Sequence, residues 1–576
     1  MGKMLDHIRD AGAYSPLKQD PTDSVKRKLD SVLKRFVKER TLSTSLHDQM
    51  RVINPRYPQL YGTPKIHKAG APIRPIVAFY NSPLSALHKQ LSVLLSPLTR
   101  NSIRLKDSEA LVSHLQSSHD PAFPYYFSLD VVSLYTNADM RAAAATAIAS
   151  FRSNPSLLSS EISIENLQSL LNVCLDNAYF EFGGQFYSQT SGGAMGSPLT
   201  VALAEIRTAE IENLALTTAP DPIHSYRHFV DDGIGAARDA QHAESFQRHL
   251  NSLSKDLQYT IEHPKPDGSL PFLDVLIHAD RSTSIYRKPT HTNLYVKHSS
   301  SSSPATKNAV IRSLTRRAYN LCSSQHLQEE LFTVYSICLA NGFPTHLVRS
   351  VMDDVKHRLN RPRPPRSSSA PRSSSATSNE RVFIPYHPSL APQIKQTLRK
   401  YSIDVTYTSA PNLRSLLSKT KSPLPPQLTQ NVIYRIPCQD CPASYIGQTK
   451  RPVQVRIKEH EASYRLKNAV DLTTGNIKSG AALHALHTDH EINWSATEIL
   501  TTAPSSAHLD MLEQAAIQTL QPSLNRTSKA PSVSQQWDPI LPIVASSFNP
   551  RSANIPAFQS PSAPTPPATN PSHVSQ

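Results

Sequence analysis

Residues 229–236 read FVDDGIGA, with apolar residues on both sides of Asp231, Asp232 and Gly233. This pattern predicts two short strands joined by a tight hairpin. A third acid, Asp130, lies within residues 125–135 (YYFSLDVVSLY), where aromatic and β-branched residues predict another strand. If the strand and the hairpin are neighbours in one sheet, the three carboxylates converge on one rigid surface.

Carboxylates grouped in this way suit a pair of divalent cations, Mg²⁺ or Mn²⁺, because such hard ions prefer oxygen ligands. In nucleotidyl transfer, two ions about 4 Å apart activate the attacking 3′-oxygen and hold the leaving phosphates. Each acidic segment alone also has an ordinary explanation. Asp-Asp-Gly is commonly no more than a turn, and Asp130 could be a polar strand residue satisfied by its neighbours.

Two further segments carry residue types that can contact a nucleotide. In residues 189–203 (QTSGGAMGSPLTVAL), glycines precede a predicted helix and would let the backbone approach a nucleotide closely. In residues 61–76 (YGTPKIHKAGAPIRPI), a Gly/Pro hairpin can hold a triphosphate or a template backbone through Lys65, His67, Lys68 and Arg74. The alternatives are a glycine-rich loop with Pro in the first helical turn and a solvated turn.

Several segments follow one another along the chain: LYGTPKIHK, IRPIV, SLDVVSLYTN, TSGGAMGSPL, HFVDDG, PFLDVLI and YRKPTHTNLYV. In this order they resemble the reverse transcriptase of Penelope-like retroelements, over roughly residues 55–300. The resemblance implies an RNA-directed DNA polymerase with the fingers, palm and thumb of a right hand.

The same resemblance implies roles for individual residues. Asp130 and Asp231 would be the metal ligands, with Asp232 as the neighbouring third acid. The residues beside the nucleotide, its phosphates or the template would be Lys65, Lys68, Arg74, Gln189, Gly192 and Gly193. Residues 272–274 (Phe-Leu-Asp) would form the palm-to-thumb grip on the primer, although Asp274 could equally be a capping residue.

A second constellation lies within residues 431–466 (NVIYRIPCQDCPASYIGQTKRPVQVRIKEHEASYRL). This stretch predicts two short strands followed by a basic amphipathic helix. Tyr-Ile-Gly at residues 445–447, with Arg456 and His460 one helical turn apart, resembles the GIY-YIG family of nucleases. Val432 stands where that family has its first glycine, so the approach of this strand is expected to differ.

The GIY-YIG resemblance implies how these residues would cut DNA. Tyr434 and Tyr445 would position or activate the attacking water, Arg456 would stabilise the phosphorane charge and Glu513 would hold one Mg²⁺. His460 would assist proton transfer or only pack. Asn525 would be a structural or phosphate-side contact.

A cysteine pair, Cys438-x2-Cys441, lies between the two tyrosine strands, and His484-x5-His490 follows downstream. Two thiolates and two imidazoles can hold Zn²⁺ tetrahedrally, and this spacing resembles the Cys/His finger of Penelope-type nucleases. The alternative is two reduced surface cysteines and unrelated histidines, and His487 could replace either histidine. Zinc would brace a small domain that lacks a large core.

The composition favours a polyanionic partner, because 60 Lys and Arg residues against 45 acidic residues give a formal charge of +15. A protein with a basic tail is the alternative. The odd, sparse set of five cysteines does not indicate a disulfide framework. The first ten residues lack the apolar core of a signal peptide, and no stretch reaches the roughly 18 apolar residues of a membrane span. We therefore expect an intracellular, nuclear protein without membrane contacts.

The expected architecture is an α+β multidomain chain: a right-hand polymerase (fingers, palm, thumb) followed by a small α/β GIY-YIG nuclease domain. The predicted boundaries are 1–105 for an N-terminal helical region and fingers, 106–280 for the palm, 281–360 for a helical thumb, 361–380 for a flexible linker, 381–425 for a connector, 426–530 for the nuclease with its zinc finger, and 531–576 for a disordered Pro/Ser-rich tail. Lys395, Arg399 and Lys400 make the connector either a nucleic-acid contact or a solvated helix face.

The predicted function is RNA-directed DNA synthesis coupled to DNA nicking. The nuclease would expose a 3′-hydroxyl on target DNA, and the polymerase would extend that primer along an RNA template with deoxynucleoside triphosphates, which supports target-primed retrotransposition. One alternative is a decayed or domesticated element protein that only binds nucleic acid. The other is a structure-specific nuclease with an inactive polymerase-like domain.

Overall fold

The computed structural model describes residues 2–10, 12–66, 70–100, 103–361, 381–408, 424–465, 479–503, 508–525, 539, 541–546, 548 and 551–552. The chain divides into two compact units, Met1–Lys421 and Ser422–Gln576. The predicted linker at 361–380 lies, apart from Arg361, outside the described residues, as do His67 and Lys68. Among the described residues, no helix has both the length and the apolar character needed to cross a bilayer.

Helices and strands alternate along the first unit, which is mixed α/β. Its helices are α1 (Gly2–Asp10), α2 (Thr22–Lys38), α3 (Thr44–Gln49), α4 (Ser85–Leu95), α5 (Ser108–Ser117), α6 (Leu134–Asn137), α7 (Met140–Ser153), α8 (Ile164–Asp176), α9 (Pro198–Thr218), α10 (Ala240–Ser252), α11 (Pro304–Leu321), α12 (Ser324–Ala340), α13 (Thr345–Asn360) and α14 (Ala391–Arg399). Its strands are β1 (Tyr14–Leu17), β2 (Gln59–Pro64), β3 (Ile73–Ala78), β4 (Tyr125–Val131), β5 (Tyr179–Phe182), β6 (Gln185–Gln189), β7 (His224–Phe229), β8 (Asp232–Ala237), β9 (Tyr259–Glu262), β10 (Leu270–Phe272), β11 (Val275–Ile277), β12 (Thr283–Ile285), β13 (Arg381–Pro385) and β14 (Asp404–Thr408).

A four-stranded antiparallel sheet of order β7-β8-β4-β9 forms the centre of this unit. Its strands follow a β-α-β-β-α-β pattern along the chain, with α9 before β7 and α10 before β9, and with α6, α7, α8, β5 and β6 inserted after β4. Phe127 on β4 and Phe246 on α10 are fully buried between sheet and helices. The predicted hairpin at 229–236 is confirmed. The predicted strand at 125–135 ends earlier, at Val131, because Ser133 adopts a left-handed conformation (φ 53°) from which α6 begins.

A five-stranded sheet of order β1-β6-β5-β2-β3 lies on the N-terminal side of the chain. Here the structure differs from the predicted boundary at 105–106. Strands β5 and β6 fall within the segment assigned to the palm, yet β6 pairs with β1 and β5 pairs with β2. Pairing between segments so far apart in sequence leaves no local signal, because periodicity reports only which face of a strand is buried.

The segment predicted as a thumb contains a three-stranded antiparallel sheet (β10-β11-β12) and the helices α11, α12 and α13. Ile311, Val334, Val348 and other buried side chains form a core of their own among the three helices. Beyond the undescribed linker, β13 and β14 form a parallel pair connected through α14. The described part of the predicted connector thus contains two paired strands and one helix.

The second unit contains the elements predicted around the tyrosine strands. These are the strands β15 (Val432–Pro437), β16 (Ser444–Thr449), β17 (Glu498–Thr502) and β18 (Arg551–Ser552), and the helices α15 (Val453–Arg465), α16 (Gly480–Thr488), α17 (Leu509–Leu520) and α18 (Leu541–Ser546). The sheet order is β16-β15-β17-β18. Part of the predicted disordered tail is thus folded, because Arg551 pairs with Ile499 and Phe548 packs on a buried cluster.

Candidate functional site

The central sheet of the first unit brings three carboxylates together. Asp130, near the end of β4, is the cross-strand partner of Asp232, the first residue of β8. Asp231 lies in the adjoining turn, where its carbonyl oxygen accepts a hydrogen bond from the Val131 N–H at 2.9 Å. Asp130 and Asp231 are exposed and Asp232 is half-buried. The arrangement offers hard oxygen ligands on a rigid surface open to solvent.

The electrostatics of this cluster are those of crowded negative charges. Burial, together with the negative charges of Asp231 and Asp130, raises the pKa of Asp232 to about 7. The positive charge of Lys288 lowers the pKa of the same carboxyl group, so Lys288 is a cation close to the cluster. Lys288 belongs to the quoted segment YRKPTHTNLYV, but no local pattern connects it to the acids. A bound divalent cation would relieve the repulsion among the carboxylates.

The turn of the β7–β8 hairpin is conformationally strained. Val230 has a φ of 59°, a left-handed conformation that β-branched residues rarely adopt. At Gly233 a Cβ atom would lie 2.3 Å from the Tyr226 hydroxyl, so only glycine fits there. Backbone strain of this kind persists where the surroundings over-determine the conformation, and it is common at functional sites.

The glycine loop after β6 touches both the turn that follows β4 and the strand β3. A Cβ at Gly192 would lie 2.2 Å from the Thr136 carbonyl oxygen, and the Gly193 N–H donates to the Tyr135 carbonyl at 2.7 Å. The Val77 N–H of β3 donates to the Met195 carbonyl at 2.8 Å. The close approach predicted for these glycines is therefore made to the protein's own backbone.

A cleft of about 720 Å³ lies beside this loop. Gln189, Gly192 and Gly193 are among its lining residues, whereas the described lining includes none of the three carboxylates. The Gln189 amide donates to the Ser191 carbonyl at 3.1 Å, which orders the start of the loop. The glycine loop contacts Tyr135 and Thr136 in the segment that follows β4, the strand that carries Asp130.

The basic residues predicted beside the triphosphate lie on the β2–β3 hairpin of the five-stranded sheet. The Lys65 N–H donates to the Pro72 carbonyl at 2.9 Å, and Arg74 is the cross-strand partner of Thr63. The Arg74 side chain is exposed and that of Lys65 is half-buried. Lys68 lies outside the described residues.

Helix capping was one of the two roles considered for Asp274, and the structure gives its side chain a different role. Its carboxylate pairs with Arg317 of α11 at 2.6 Å and accepts a hydrogen bond from the Ser108 hydroxyl of α5. Leu273, beside it in the β10–β11 turn, has a φ of 55°. Asp274 therefore ties the three-stranded sheet to two helices.

In the second unit, the predicted nuclease residues surround one buried hydroxyl group. The Tyr434 hydroxyl of β15 bonds to His460 Nε2 at 2.9 Å and accepts from Arg456 Nε at 3.4 Å. Tyr445 of β16 is half-buried, and its ring centroid lies 6.5 Å from that of Tyr434 and 5.4 Å from that of His460. A Cβ at Gly447 would lie 2.6 Å from the Tyr434 hydroxyl, which explains this glycine.

Burial controls the protonation of these groups. It raises the pKa of Tyr434, and for Tyr445 the carboxylate of Glu513 adds to the rise. Burial, assisted by the positive charge of Arg456, lowers the pKa of His460 to about 4. A neutral imidazole therefore contacts the Tyr434 hydroxyl near pH 7.

The remaining predicted residues complete the same face of the unit. Glu513, on α17, accepts a hydrogen bond from the Gln448 amide at 2.9 Å, and burial raises its pKa. The Asn525 amide accepts from the Ile446 N–H at 2.8 Å and donates to the Ile446 carbonyl at 2.7 Å. Asn525 thus holds the backbone of β16, which corresponds to the structural one of its two predicted roles.

The two cysteines and two of the histidines form a compact cluster. The ligand atoms of Cys438, Cys441, His484 and His490 all lie within 4.8 Å of one another. Cys438 Sγ lies 3.7 Å from His490 Nδ1, Cys441 Sγ lies 3.5 Å from His484 Nε2, and the two histidine nitrogens are 3.3 Å apart. Tetrahedral Zn²⁺ with bonds of about 2.0–2.3 Å would separate its ligand atoms by roughly 3.3–3.8 Å. The geometry fits zinc, and the exposed His487 is not part of the cluster.

Comparisons with known proteins give one short family match and several distant structural likenesses. A family described as an animal helix-turn-helix domain matches residues 294–353, which contain α11, α12 and the first part of α13. No curated protein matches the sequence significantly.

Among solved structures, the chain is similar to the Candida albicans telomerase in complex with a fragment of telomeric RNA (12% identity, TM-score 0.37, 57% of this chain and 63% of that chain). It is also similar to an apo telomerase from Candida tropicalis truncated from its C-terminal domain (14%, 0.31, 41% and 56%) and to the Sicinivirus 3Dpol RNA-dependent RNA polymerase (15%, 0.32, 60% and 74%). The chain spans less than two thirds of the length of the two telomerases. Likenesses with TM-scores this low do not decide a fold, and the described elements define the chain as a mixed α/β protein.

Proposed function

We propose that this chain is an RNA-directed DNA polymerase of the Penelope-like retroelement type, joined to a DNA-nicking endonuclease of the GIY-YIG type. The observation that carries the polymerase assignment is the convergence of Asp130, Asp231 and Asp232 at one end of the central sheet. The template is RNA, the primer is a DNA 3′-end, and the substrates are deoxynucleoside triphosphates. Because the target is chromosomal DNA, the site of action is the nucleus.

In the polymerase step, the primer 3′-oxygen bonds to the α-phosphorus of the incoming nucleotide while the bond to pyrophosphate breaks. Asp130, Asp231 and Asp232 would hold Mg²⁺ or Mn²⁺, which activates the 3′-oxygen and neutralises the phosphates when bound. Lys65 and Arg74, on the β2–β3 hairpin, contribute cationic donors for the triphosphate. Asp274 keeps the three-stranded sheet against α11 through Arg317, a support for the primer strand.

The polymerase assignment is tested by extending a DNA primer annealed to an RNA template. We expect Asp231→Asn and Asp130→Asn each to lower the rate by at least about 100-fold, because an amide cannot replace a charged ligand. Glu244→Gln makes the same chemical change on a half-buried carboxylate of α10 and should leave the rate unchanged. Equal extension by the wild type and Asp231→Asn would refute the assignment.

In the nicking step, water attacks a backbone phosphate and the 3′-oxygen leaves, which yields the primer end that the polymerase needs. The Tyr434 hydroxyl is fully buried and already engaged by His460 and Arg456. Tyr445 is only half-buried, so its hydroxyl is the better candidate to contact the attacking water. Arg456 stabilises the phosphorane charge, and Glu513 would hold one Mg²⁺. Cys438, Cys441, His484 and His490 would hold structural Zn²⁺.

The nuclease assignment is tested by nicking of a supercoiled plasmid in Mg²⁺. Glu513→Gln and Arg456→Ala should each abolish most nicking, whereas Glu461→Gln, a neutralised acid on the same helix as Arg456, should nick like the wild type. Plasmid nicking that survives Glu513→Gln would exclude this site as its source.

The same two assays separate the alternatives. A protein that only binds nucleic acid would neither extend a primer nor nick a plasmid. A nuclease with an inactive polymerase-like domain would nick normally and show no extension, with or without Asp130→Asn.

A further inference from the structure

A network of charged side chains is buried directly behind the hairpin that carries Asp231. His228 of β7 is 1% exposed and lies between two buried carboxylates of α9, with Nε2 3.0 Å from Glu205 and Nδ1 2.5 Å from Glu212. Arg104, which is exposed, pairs with Glu205 at 2.7 Å, and the Tyr226 hydroxyl donates to Glu212 at 2.7 Å. These five residues are called the clamp below.

Both ring nitrogens of His228 face a carboxylate, so both act as donors and the ring carries a proton on each nitrogen. Burial alone lowers the pKa of His228, but the two carboxylates outweigh it and raise the pKa to about 9. The cations of His228 and of the exposed Arg104 then balance the two glutamates, which keeps the network neutral. A set of this kind is costly to break, because removal of one charged member leaves another charge unpaired.

The clamp connects two elements that meet at the candidate polymerase site. Glu205 and Glu212 are two helical turns apart and therefore share one face of α9. This helix begins directly after the glycine loop, where Ser197 caps it. His228 lies two residues before the strained Val230, and its own backbone is bonded on both sides, to the Ile103 carbonyl at 2.9 Å and the Leu105 N–H at 2.7 Å.

We propose that His228 is a positioning residue for the polymerase: its positive charge, held by Glu205 and Glu212, fixes the hairpin bearing Asp231 and Asp232 against helix α9. The inference rests on the proposed polymerase function. Hydrophobic contacts tolerate small shifts, whereas a doubly hydrogen-bonded cation between two carboxylates fixes direction as well as distance. The strained backbone at Val230 persists because His228, two residues earlier on β7, is fixed in position by the two carboxylates.

The consequence is that a neutral residue at position 228 should disturb metal binding more than folding. Replacement of a residue that orients metal ligands without binding the metal itself typically lowers metal affinity or activity by about 10- to 100-fold. For His228→Gln we expect a weakening of Mn²⁺ binding in this range and a similar fall in kcat for primer extension. The KM for the nucleotide should change by less than about 3-fold, since the triphosphate contacts lie on another element.

The experiment measures Mn²⁺ binding by electron paramagnetic resonance and primer extension in parallel, on full-length protein. All variants carry Glu513→Gln, which removes the ion site proposed in the second unit, and Asp231→Asn gives the baseline without the polymerase site. His228→Gln is compared with His228→Arg, which keeps the charge, and with Tyr226→Phe, which removes one hydrogen bond to the same Glu212 but keeps His228. Circular dichroism reports folding of each variant.

The expected result is weak Mn²⁺ binding and slow extension for His228→Gln, and near wild-type values for His228→Arg and Tyr226→Phe. Equal values for His228→Gln and Tyr226→Phe, or an equally defective His228→Arg, would overturn the clamp. If His228→Gln fails to fold, the neutral triple variant Glu205→Gln/Glu212→Gln/His228→Gln replaces it, and normal Mn²⁺ affinity there would overturn the clamp. A wild type that neither binds Mn²⁺ nor extends a primer would overturn the polymerase function as well.

Discussion

Two residues of the β7–β8 hairpin, Val230 and Asp232, are each in an energetically unfavourable state. The surrounding contacts offset this cost in free energy. Val230 adopts a left-handed backbone, which costs a β-branched residue on the order of 1–2 kcal/mol. Asp232 keeps a carboxyl group whose pKa is raised to about 7 by burial and by two neighbouring acids. Both features are expected where a protein keeps a site ready for a cation at the expense of its own stability.

The protonation of His228 gives a pH-dependent contribution to the stability of the first unit. Its pKa is about 9 in the folded chain, against about 6.5 in an unfolded chain. The contribution is therefore fully present below pH 6.5 and is lost as the pH rises through 9, and it is on the order of 3 kcal/mol. The groups facing His228 are Glu205, Glu212 and, through them, Arg104 and Tyr226.

We predict that the wild type loses stability between pH 6.5 and 9 more steeply than His228→Gln does. Urea unfolding followed at several pH values, with hydrogen exchange to identify the first unit, measures the difference. Tyr226→Phe, which keeps His228, should follow the wild type. Parallel stability curves for the wild type and His228→Gln would show that His228 has the same charge in both states.

At the scale of elements, the cysteine and histidine cluster connects the β15–β16 turn with α16 and the segment after it, and these parts also share a hydrophobic core. Cys438 and Cys441 lie at the β15–β16 connection, His484 lies on α16 and His490 follows that helix. In small domains, zinc binding supplies much of the folding free energy, because the ligands come together only in the folded chain.

We predict that the protein as purified contains one equivalent of zinc per chain. Removal of zinc by a strong chelator, or His484→Ala, should lower the melting temperature of the second unit by roughly 10 °C or more. His487→Ala changes an exposed histidine of the same helix and should have no such effect. A metal-free protein with an unchanged melting temperature would contradict a structural zinc site.

At the scale of the whole molecule, the two proposed activities belong to units with separate hydrophobic cores. The first unit packs its cores around the central sheet and among α11, α12 and α13. The second unit packs its own clusters on the two faces of the β15–β16 sheet. When two units have independent cores, the loss of a metal-ligating side chain in one unit usually leaves the structure of the other unit unchanged.

We predict that inactivation of either site leaves the other activity intact. Asp231→Asn should nick plasmid DNA at the wild-type rate, and Glu513→Gln should extend an annealed primer at the wild-type rate. Synthesis that begins on intact plasmid should need both residues, because the nick supplies the primer. Loss of nicking in Asp231→Asn would instead indicate that the two units depend on each other.

Local patterns in the sequence were sufficient to predict the β4 strand, the Asp-Asp-Gly hairpin, the tyrosine strands and the helix that follows them. The alternation of apolar and polar residues and the presence of turn residues are patterns of only a few positions. The signal for each of these elements therefore lies within one contiguous segment of sequence. The candidate ligands at Asp130, Asp231, Cys438 and Cys441 were likewise visible, since chemistry restricts which side chains can serve.

The tertiary structure alone decided which distant segments meet. Strands β5 and β6 join the N-terminal sheet, Lys288 approaches Asp232, and Glu205 and Glu212 enclose His228. None of these pairs is encoded by spacing, because the two partners belong to different elements whose approach depends on how all the sheets and helices pack. Sequence thus determined the parts and their chemistry, and packing determined their partners.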